Sequence, residues 1–368
     1  MSSAAGKSEA SRSHLGALTG IRGIAAWFVV FYHVRLSLDM LLPPELIQVA
    51  SKGYLAVDLF FVLSGFVLWF NYGERLRSGG LEDRARFMWR RMARIWPLHA
   101  FILCIFIAFA GVSAFTGRST ESYPLAELPM HFLLVHNWGF TSELTWNDPS
   151  WSISTEFAAY LVFPFIAVAA RWDRMPSLGL LAIALGFCSF VAVLYASQDA
   201  YSLGERISQL GIWRCLAQFC LGIIACLLWL RWRENRHACL LAAIAAAVIL
   251  VFGTSLKLPE TVIVPALFFA AILALALDRG IVSRALNFKP VHYLGEISYS
   301  TYLAHYGLFI MYKILFVDES LRVGWIGLGG YLGLLLLVSV SLYHGVEKPA
   351  QRWLNRHPPK FRTAIPAE

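Results

Sequence analysis

The sequence predicts an all-α integral membrane protein with about ten transmembrane helices and with both termini in the cytoplasm. Of its 368 residues, 58% are hydrophobic and 15% are charged, whereas soluble domains carry about 25% charged residues. The apolar residues fall into runs of about 20, which is the length that crosses the hydrocarbon core of a bilayer. The positively charged residues are concentrated in alternate connections between these runs.

Ten apolar segments are long enough to cross a membrane. They cover residues 18–36, 53–72, 95–114, 151–170, 177–197, 211–230, 238–256, 260–278, 297–317 and 324–345. The longest connection, 115–150, contains a short apolar piece at 128–138 that we expect to be interfacial or re-entrant. The first residues are polar and the apolar run after them is long, so no cleavable signal peptide is expected. We predict a cytoplasmic tail at 1–15, one membrane domain at 16–346 and a second cytoplasmic tail at 347–368.

The distribution of lysine and arginine predicts the orientation of the chain. The connections on one side of the ten segments contain 22 of these residues, and those on the other side contain six. Because positively charged loops stay in the cytoplasm, this asymmetry places both termini there. It also accounts for the net charge of +8, so we expect the lipid bilayer as a partner and no nucleic acid. The six cysteines show neither metal-ligand nor disulfide spacing, so no metal site is expected.

The first apolar segment contains two ionisable residues, Arg22 and His33. On an α-helix they lie on one stripe, about 16 Å apart. Ionisable residues inside a membrane helix are costly and usually face a protein interior or a wet cavity. A neutral imidazole can take a proton from a hydroxyl group as a general base. His33 is therefore interpreted either as such a base or as a partner in a hydrogen bond between helices.

Two carboxylates also lie within apolar segments, Asp58 in the second and Glu156 early in the fourth. An isolated carboxylate is expensive in lipid, so each needs a partner or a wet pocket. Asp58 either orients His33, binds a cation, or forms a helix-end cap or a structural ion pair. Glu156 either holds the imidazole, binds a substrate hydroxyl or belongs to a buried pair. Trp151 is interpreted as an interfacial anchor, and Arg214 adds a further charge early in the sixth segment.

The connection between the second and third segments is rich in arginine. Arg91 and Arg94 are three positions apart, so they share one face of the predicted helix. Guanidinium groups bind phosphates through forked hydrogen bonds. The region would suit a polyanionic cytoplasmic ligand such as a nucleotide-bearing coenzyme. The alternative interpretation is an orientation anchor that contacts lipid phosphates.

The ninth segment carries a polar face formed by Ser298, Tyr299, Tyr302 and His305. This face is interpreted either as the lining of a pocket or as a polar seam between helices. After the tenth segment, Glu347 is expected to pair with the arginines of the loop or to form a charge pair at the helix end.

Several of these motifs, taken in order, make the chain similar to the acyltransferase 3 family of integral membrane acyltransferases, from about residue 15 to 355. The motifs are Arg22 with His33, the segment 56–66 with Ala56 replacing a glycine, Arg91 with Arg94, Trp151 to Ile153 with Ser154, Glu156 and Tyr160, Arg214 with Phe219 and Gly222, the segment 298–305, and Glu347 to Pro349. His99 stands where the family has a tyrosine.

The resemblance implies transfer of an acyl group, usually acetyl from cytoplasmic acetyl-CoA, to a hydroxyl group of a carbohydrate. The implied acceptor is a glycan or lipid-linked glycan on or beyond the outer face of a bacterial inner membrane. Acyl-CoA would then be a co-substrate, and its phosphates would bind Arg22, Arg91 and Arg94. His33 would be the base, oriented by Glu156 or Asp58. The residues expected to bind substrate are Trp151, Ser152, Tyr299, Tyr302 and His305.

A proton-coupled transporter of a small solute is the alternative, because charged residues inside helices also suit a proton relay. The sequence shows no paired discontinuous helices in two matching halves, which such transporters commonly have. A transporter also leaves the arginine-rich connection without a purpose. A non-catalytic scaffold leaves the charges inside the helices without one. Direct acyl transfer and transfer through an acyl-histidine intermediate both remain open.

Overall fold

The computed structural model describes residues 3–317 and 322–359, with side chains from residue 16 onward. The chain is 79% helical, and this described part contains no strand. The predicted all-α fold is confirmed. Of the predicted tails, residues 1–2 and 360–368 lie outside the described residues.

The helices are numbered in chain order. The first eight are α1 (Ser3–Val34), α2 (Pro44–Ser51), α3 (Ala56–Leu68), α4 (Glu74–Ser78), α5 (Leu81–Phe115), α6 (Leu128–Phe132), α7 (Trp151–Ala169) and α8 (Ser177–Ala196). The others are α9 (Ile207–Trp232), α10 (Ala238–Ser255), α11 (Glu260–Leu277), α12 (Ile281–Leu286), α13 (Lys289–Glu296), α14 (Ser298–Phe316), α15 (Trp325–Leu342) and α16 (Lys348–Arg356). Two π-helical turns, Trp69–Gly73 and Tyr343–Glu347, join α3 to α4 and α15 to α16.

Nine helical stretches of the described chain are long and apolar enough to cross a membrane. They correspond to nine of the ten predicted segments. The remaining segment, 297–317, forms α14, whose 19 residues reach about 28 Å at 1.5 Å per residue. The hydroxyl-bearing side chains of α14 lower its mean hydropathy. They are tolerated in a membrane helix because they face the interior of the protein rather than the lipid. The chain is therefore a multi-pass integral membrane protein.

The helices differ in how much of their surface other helices cover. In the apolar stretch of α9, 78% of the residues are buried, compared with 17% in α8 and in α10. α9 is therefore central, whereas α8 and α10 present most of their apolar surface to lipid. The backbones of α3 and α9 meet at Gly65 and Gly222, where an added Cβ atom would collide with the carbonyl oxygens of Phe219 and Val62. Small residues permit this approach, as expected for membrane helices.

The long connection between α5 and α7 folds back onto the ends of the helices. Its apolar piece forms only the five-residue helix α6, as its length predicts, and is followed by turns. The indole of Trp96 donates to the Phe132 carbonyl (2.9 Å), and the Asn137 backbone N–H donates to Ser154 Oγ (3.1 Å). These bonds tie the connection to α5 and to the first turn of α7.

Candidate active site

A cavity of about 140 Å³, with charged and hydroxyl-bearing side chains on a largely apolar wall, lies between the helices of the bundle. Five helices enclose it, since its described lining comes from α1, α3, α5, α7 and α14. The polar lining residues are Arg22, Ser64, Arg91, Arg94, Ser152, Glu156, Tyr160, Ser298, Tyr299 and Tyr302. The structure thus brings together seven of the eleven residues that the sequence singled out for the site.

The three arginines of this lining differ in their contacts. Arg94 forms an ion pair with Glu347, and its guanidinium lies 5.3 Å from the centre of the Tyr299 ring. Ser300 Oγ donates to the other carboxylate oxygen of Glu347 at 2.6 Å. Glu347 therefore pairs with an arginine of α5, which belongs to the arginine-rich connection named in one of the two sequence interpretations.

Arg91 is held more loosely than Arg94. Its guanidinium donates to the Tyr72 hydroxyl at 3.4 Å and lies 5.4 Å from the centre of that ring. Its buried Nε has no hydrogen-bond partner among the described residues. The described lining of the cavity carries three guanidinium groups and one carboxylate, that of Glu156. Because positive charge is in excess, the cavity attracts anions.

Glu156 lies on the wall of the cavity, and His33 does not. Ser64 Oγ donates to its carboxylate at 2.6 Å. Tyr160 lines the cavity one turn further along α7, on the same face. The hydrogen bond from Ser64 thus holds the carboxylate against α3 at the wall of the cavity.

His33 lies near the end of α1, outside the lining of the cavity. Its Nδ1 is 3.1 Å from Nε2 of His305 and 3.0 Å from the carbonyl oxygen of Val29. The rings of Tyr32 and Tyr306 approach it edge-on, with centroid distances of 4.9 and 5.4 Å. His33 is thus a neighbour of His305, and its contacts include neither Asp58 nor Glu156 within the described chain.

Tyr302 connects the cavity to this pair of histidines. Its ring lines the cavity, and its backbone carbonyl lies 2.6 Å from His305 Nδ1. Its hydroxyl donates to the Pro149 carbonyl (2.9 Å) and lies 2.8 Å from Ser152 Oγ. The cavity therefore ends against the residue that precedes His305 by one helical turn.

Asp58 forms a buried ion pair with Arg214 instead of contacting a histidine. Two hydrogen bonds of 2.8 and 2.5 Å join Arg214 to the two carboxylate oxygens, and Gln218 donates a third at 2.9 Å. The side chains of Asp58 and Arg214 are 0% and 1% exposed. This geometry corresponds to the structural ion pair among the interpretations that the sequence left open.

The residues predicted to bind substrate fall into two groups. Ser152, Tyr299 and Tyr302 line the cavity, and the Tyr299 hydroxyl also donates to the Ile95 carbonyl at 2.6 Å. The ring of Trp151 packs against Arg214, 5.2 Å from its guanidinium carbon, and His305 is fully buried against His33. Neither of these two lines the cavity.

The sequence indicated no role in the site for three residues, which are Ser64, Tyr72 and Tyr160. Tyr160 had a usable signal, because it lies four positions after Glu156 and hence on its face of the helix. The contact of Tyr72 with Arg91 joins two different helical stretches, so no spacing within either could indicate it.

A helical membrane bundle that encloses an anion-attracting cavity, with a histidine pair beyond its end, has the parts of an enzyme that works on a charged substrate inside the membrane. Residues 15–344 match the family model described as an acyltransferase domain. The chain belongs to this family, acyltransferase 3.

Three similar proteins agree with this membership. The chain is 30% identical to the acyltransferase MdmB of Streptomyces mycarofaciens, over 96% of each chain. It is 26% identical to the peptidoglycan O-acetyltransferase OatA of Listeria monocytogenes, over 80% of this chain and 49% of the relative. It is 25% identical to the putative peptidoglycan O-acetyltransferase YrhL of Bacillus subtilis, over 91% of this chain and 55% of the relative.

The chain spans about half the length of those two peptidoglycan O-acetyltransferases. No solved structure matches it. Family and relatives make the protein a membrane O-acyltransferase, an enzyme of the O-acetyltransferase class. They favour acyl transfer over the transporter alternative.

Proposed function

We propose that the protein transfers an acetyl group from cytoplasmic acetyl-CoA to a hydroxyl group of a cell-surface or periplasmic carbohydrate, in a bacterial inner membrane. The observation that carries the proposal is the continuity of the cavity, which has arginines on its wall and ends at Tyr302, next to the histidine pair. The relatives named as peptidoglycan O-acetyltransferases support a glycan acceptor.

The donor's phosphates bind at the arginines in this scheme. Arg94 is already neutralised by Glu347, so Arg22 and Arg91 provide most of the attraction. Guanidinium groups suit this task because they bind phosphate oxygens with paired, charge-assisted hydrogen bonds. The cavity is too narrow for a nucleotide, since ligand pockets usually measure about 300–1,000 Å³. The slender acyl-bearing arm is the part of the donor that enters it.

The chemistry takes place at His33. Its Nε2 removes the proton from the acceptor hydroxyl, whose oxygen forms a bond to the thioester carbonyl carbon. The tetrahedral intermediate then breaks its carbon–sulfur bond, and the leaving thiolate takes up a proton from the imidazolium. The products are the acyl ester of the acceptor and free CoA thiol, and the imidazole returns to its neutral form.

Glu156 serves the donor in this scheme rather than the base. It is the carboxylate of the described cavity lining, and Ser64 occupies only part of its capacity to accept hydrogen bonds. The amide N–H groups of the donor's arm are the partners that suit it. Asp58, held by Arg214, contributes to the framework.

The test measures release of CoA thiol by the purified protein in proteoliposomes, with acetyl-CoA as donor and soluble peptidoglycan fragments as acceptor. His33→Ala should lower kcat by about 10²-fold or more, the usual contribution of a general base. Arg91→Ala should raise KM for acetyl-CoA about tenfold and leave KM for the acceptor unchanged. Arg90→Ala is the matched control, because Arg90 is an exposed neighbour that does not line the cavity.

Two results would overturn the scheme. Unchanged turnover of His33→Ala would remove the base, and an effect of Arg91→Ala confined to the acceptor would remove the donor site. Mass spectrometry of the surface glycans from cells with and without the protein would reveal the acetylated hydroxyl.

A further inference from the structure

His305 is a fully buried histidine whose two ring nitrogens both have partners. Its Nδ1 lies 2.6 Å from the Tyr302 carbonyl oxygen, and its Nε2 lies 3.1 Å from Nδ1 of His33. The two imidazole rings meet at 61° with their centroids 4.8 Å apart. His305 is 0% exposed and does not line the cavity, so it acts on the reaction through His33.

The carbonyl groups at the two ends of this pair determine where the protons are. A carbonyl oxygen only accepts hydrogen bonds, so a ring nitrogen that is bonded to one carries a proton. Nδ1 of His305 faces the Tyr302 carbonyl and is therefore protonated, which leaves Nε2 of the neutral ring as an acceptor. Nδ1 of His33 faces both this acceptor and the Val29 carbonyl at 3.0 Å, so it is protonated as well.

We infer that His305 is a positioning residue that holds His33 in the tautomer with the proton on Nδ1 and the lone pair on Nε2. The inference rests on the proposed function, in which Nε2 is the base. In the alternative tautomer, Nε2 would carry a proton and could not accept one from the acceptor hydroxyl. The two histidines thus share the arrangement of an enzyme base whose orientation is set by a third group.

The hydrogen bond between Nδ1 of His33 and Nε2 of His305 also persists after His33 has taken the proton of the acceptor hydroxyl. When Nε2 of His33 takes the acceptor's proton, the ring becomes an imidazolium with N–H groups on both sides. Its Nδ1–H continues to donate to Nε2 of His305 and to the Val29 carbonyl, which stabilises the charge by charge-assisted hydrogen bonds. No proton passes between the two rings, so His305 remains neutral throughout and the balance of the acyl transfer is unchanged.

Neighbouring helices hold His305 in place. The Tyr331 hydroxyl of α15 donates to the backbone carbonyl of His305 at 2.9 Å. Through its hydroxyl, Tyr302 fixes the preceding turn of α14 to Pro149 and Ser152 at the start of α7. The orientation of the base is therefore set by three helices besides its own.

The test compares His305→Leu with His305→Gln in the proteoliposome assay, using acetyl-CoA and soluble peptidoglycan fragments. Leucine fills the space but accepts no hydrogen bond, so kcat should fall about 10²-fold with both KM values unchanged. Glutamine can place its Oε1 near the position of the histidine Nε2 and should restore at least a tenth of the wild-type kcat. Thr301→Val, one turn earlier on the buried face of α14, is the matched control and should retain full activity.

The outcomes separate this inference from the proposed function. If His33→Ala keeps its turnover, the proposed function fails. If His33→Ala is inactive and His305→Leu turns over like the wild type, only the role of His305 fails. A raised KM for the acceptor in His305→Leu, or a glutamine variant no better than leucine at equal melting temperature, would also overturn it.

Discussion

Asp58 and Arg214 form an ion pair that is shielded from solvent on all sides. Gln218 donates to Asp58, and the Leu203 carbonyl accepts from the guanidinium at 2.7 Å, so most of the hydrogen-bonding capacity of the pair is used. The attraction between two buried charges mainly offsets the cost of removing them from water. Their joint effect is to fix α3 against α9, and removal of one partner leaves an uncompensated charge.

Asp58→Asn should therefore destabilise the protein by about 3–5 kcal/mol, because Arg214 then stays buried without its counter-ion. The measurement is the melting temperature of the detergent-purified protein. Asp83→Asn, which breaks a solvent-exposed pair with Arg75, should cost less than about 1 kcal/mol and serves as the control.

A double variant, Asp58→Leu with Arg214→Met, distinguishes the charge effect from a packing defect. It should melt above both single variants, because no unpaired charge remains. A melting temperature of Asp58→Asn equal to that of the wild type would contradict the structural role of the pair.

The close packing of α3 and α9 depends on two glycines, Gly65 and Gly222. Gly222→Leu should force the helices apart, because its Cβ would meet the carbonyl oxygen of Val62. Overpacking of this kind costs about 1–3 kcal/mol or more. The loss should appear as a lower melting temperature and a lower yield of monodisperse protein.

The matched control for that variant is Gly186→Leu on the lipid-facing helix α8. Apart from the adjoining backbone of α8, no atom of the described residues lies within 4 Å of the position that its Cβ would take. It should melt like the wild type, and equal destabilisation of both variants would show that contact between α3 and α9 is not the cause.

The connection between α5 and α7 contains stacked histidines, with the rings of His131 and His136 at a centroid distance of 4.0 Å. Burial lowers the pKa of His131 to about 3, with a smaller contribution from the nearby His99. Burial likewise holds the pKa of His136 well below its usual range. Both rings are therefore neutral near pH 7. Nε2 of His131 lies 3.0 Å from the Thr145 hydroxyl.

These pKa values make the stability of the protein sensitive to acid. The unfolded state takes up a proton at His131 below its ordinary pKa of about 6.5, whereas the folded state does so only near 3. The contribution of neutral, buried His131 to the free energy of unfolding is thus complete above pH 6.5 and is lost as the pH falls toward 3. At pH 5 the loss amounts to about 2 kcal/mol. The melting temperature of the wild type should fall from pH 7.5 to pH 5, and that of His131→Gln should fall less. An equal decrease in both proteins would refute the assignment.

The sequence predicted the elements better than it predicted their contacts. Apolar runs indicate helices directly, because in lipid each segment must form the hydrogen bonds of its own backbone N–H and C=O groups. Even α14, the least apolar, follows from the run within 297–317. The motifs shared with the acyltransferase 3 family also identified most of the cavity lining, including Arg22, Arg91 and Glu156.

The partners of these residues were not predictable from spacing. His33 and His305 lie 272 positions apart, and Asp58 and Arg214 lie 156 apart. Hydropathy indicates which side of a helix faces lipid. The rotation of each helix about its axis, which brings two particular side chains together, depends on the packing of all the helices. For the same reason the sequence left several roles open for Asp58 and expected a carboxylate beside His33, where the structure has a second imidazole.

The proposed donation of the acyl group by cytoplasmic acyl-CoA requires that the arginine-lined part of the cavity be reached from the cytoplasm. The distribution of 22 and six basic residues on the two sides predicts this orientation independently of the cavity. Both considerations predict that the turn after α9 is cytoplasmic and that the connection between α5 and α7 lies on the outer side.

This orientation can be checked with a membrane-impermeant maleimide on intact cells. The exposed residues Glu121 and Glu234 lie in these two connections, and each is replaced singly by cysteine in a variant without the six native cysteines. Glu121→Cys should be labelled in intact cells, whereas Glu234→Cys should be labelled only after the membrane is opened. Labelling of Glu234→Cys in intact cells would reverse the orientation. It would also place the donor site on the side where acyl-CoA is not supplied, so the vectorial scheme would fail together with the topology.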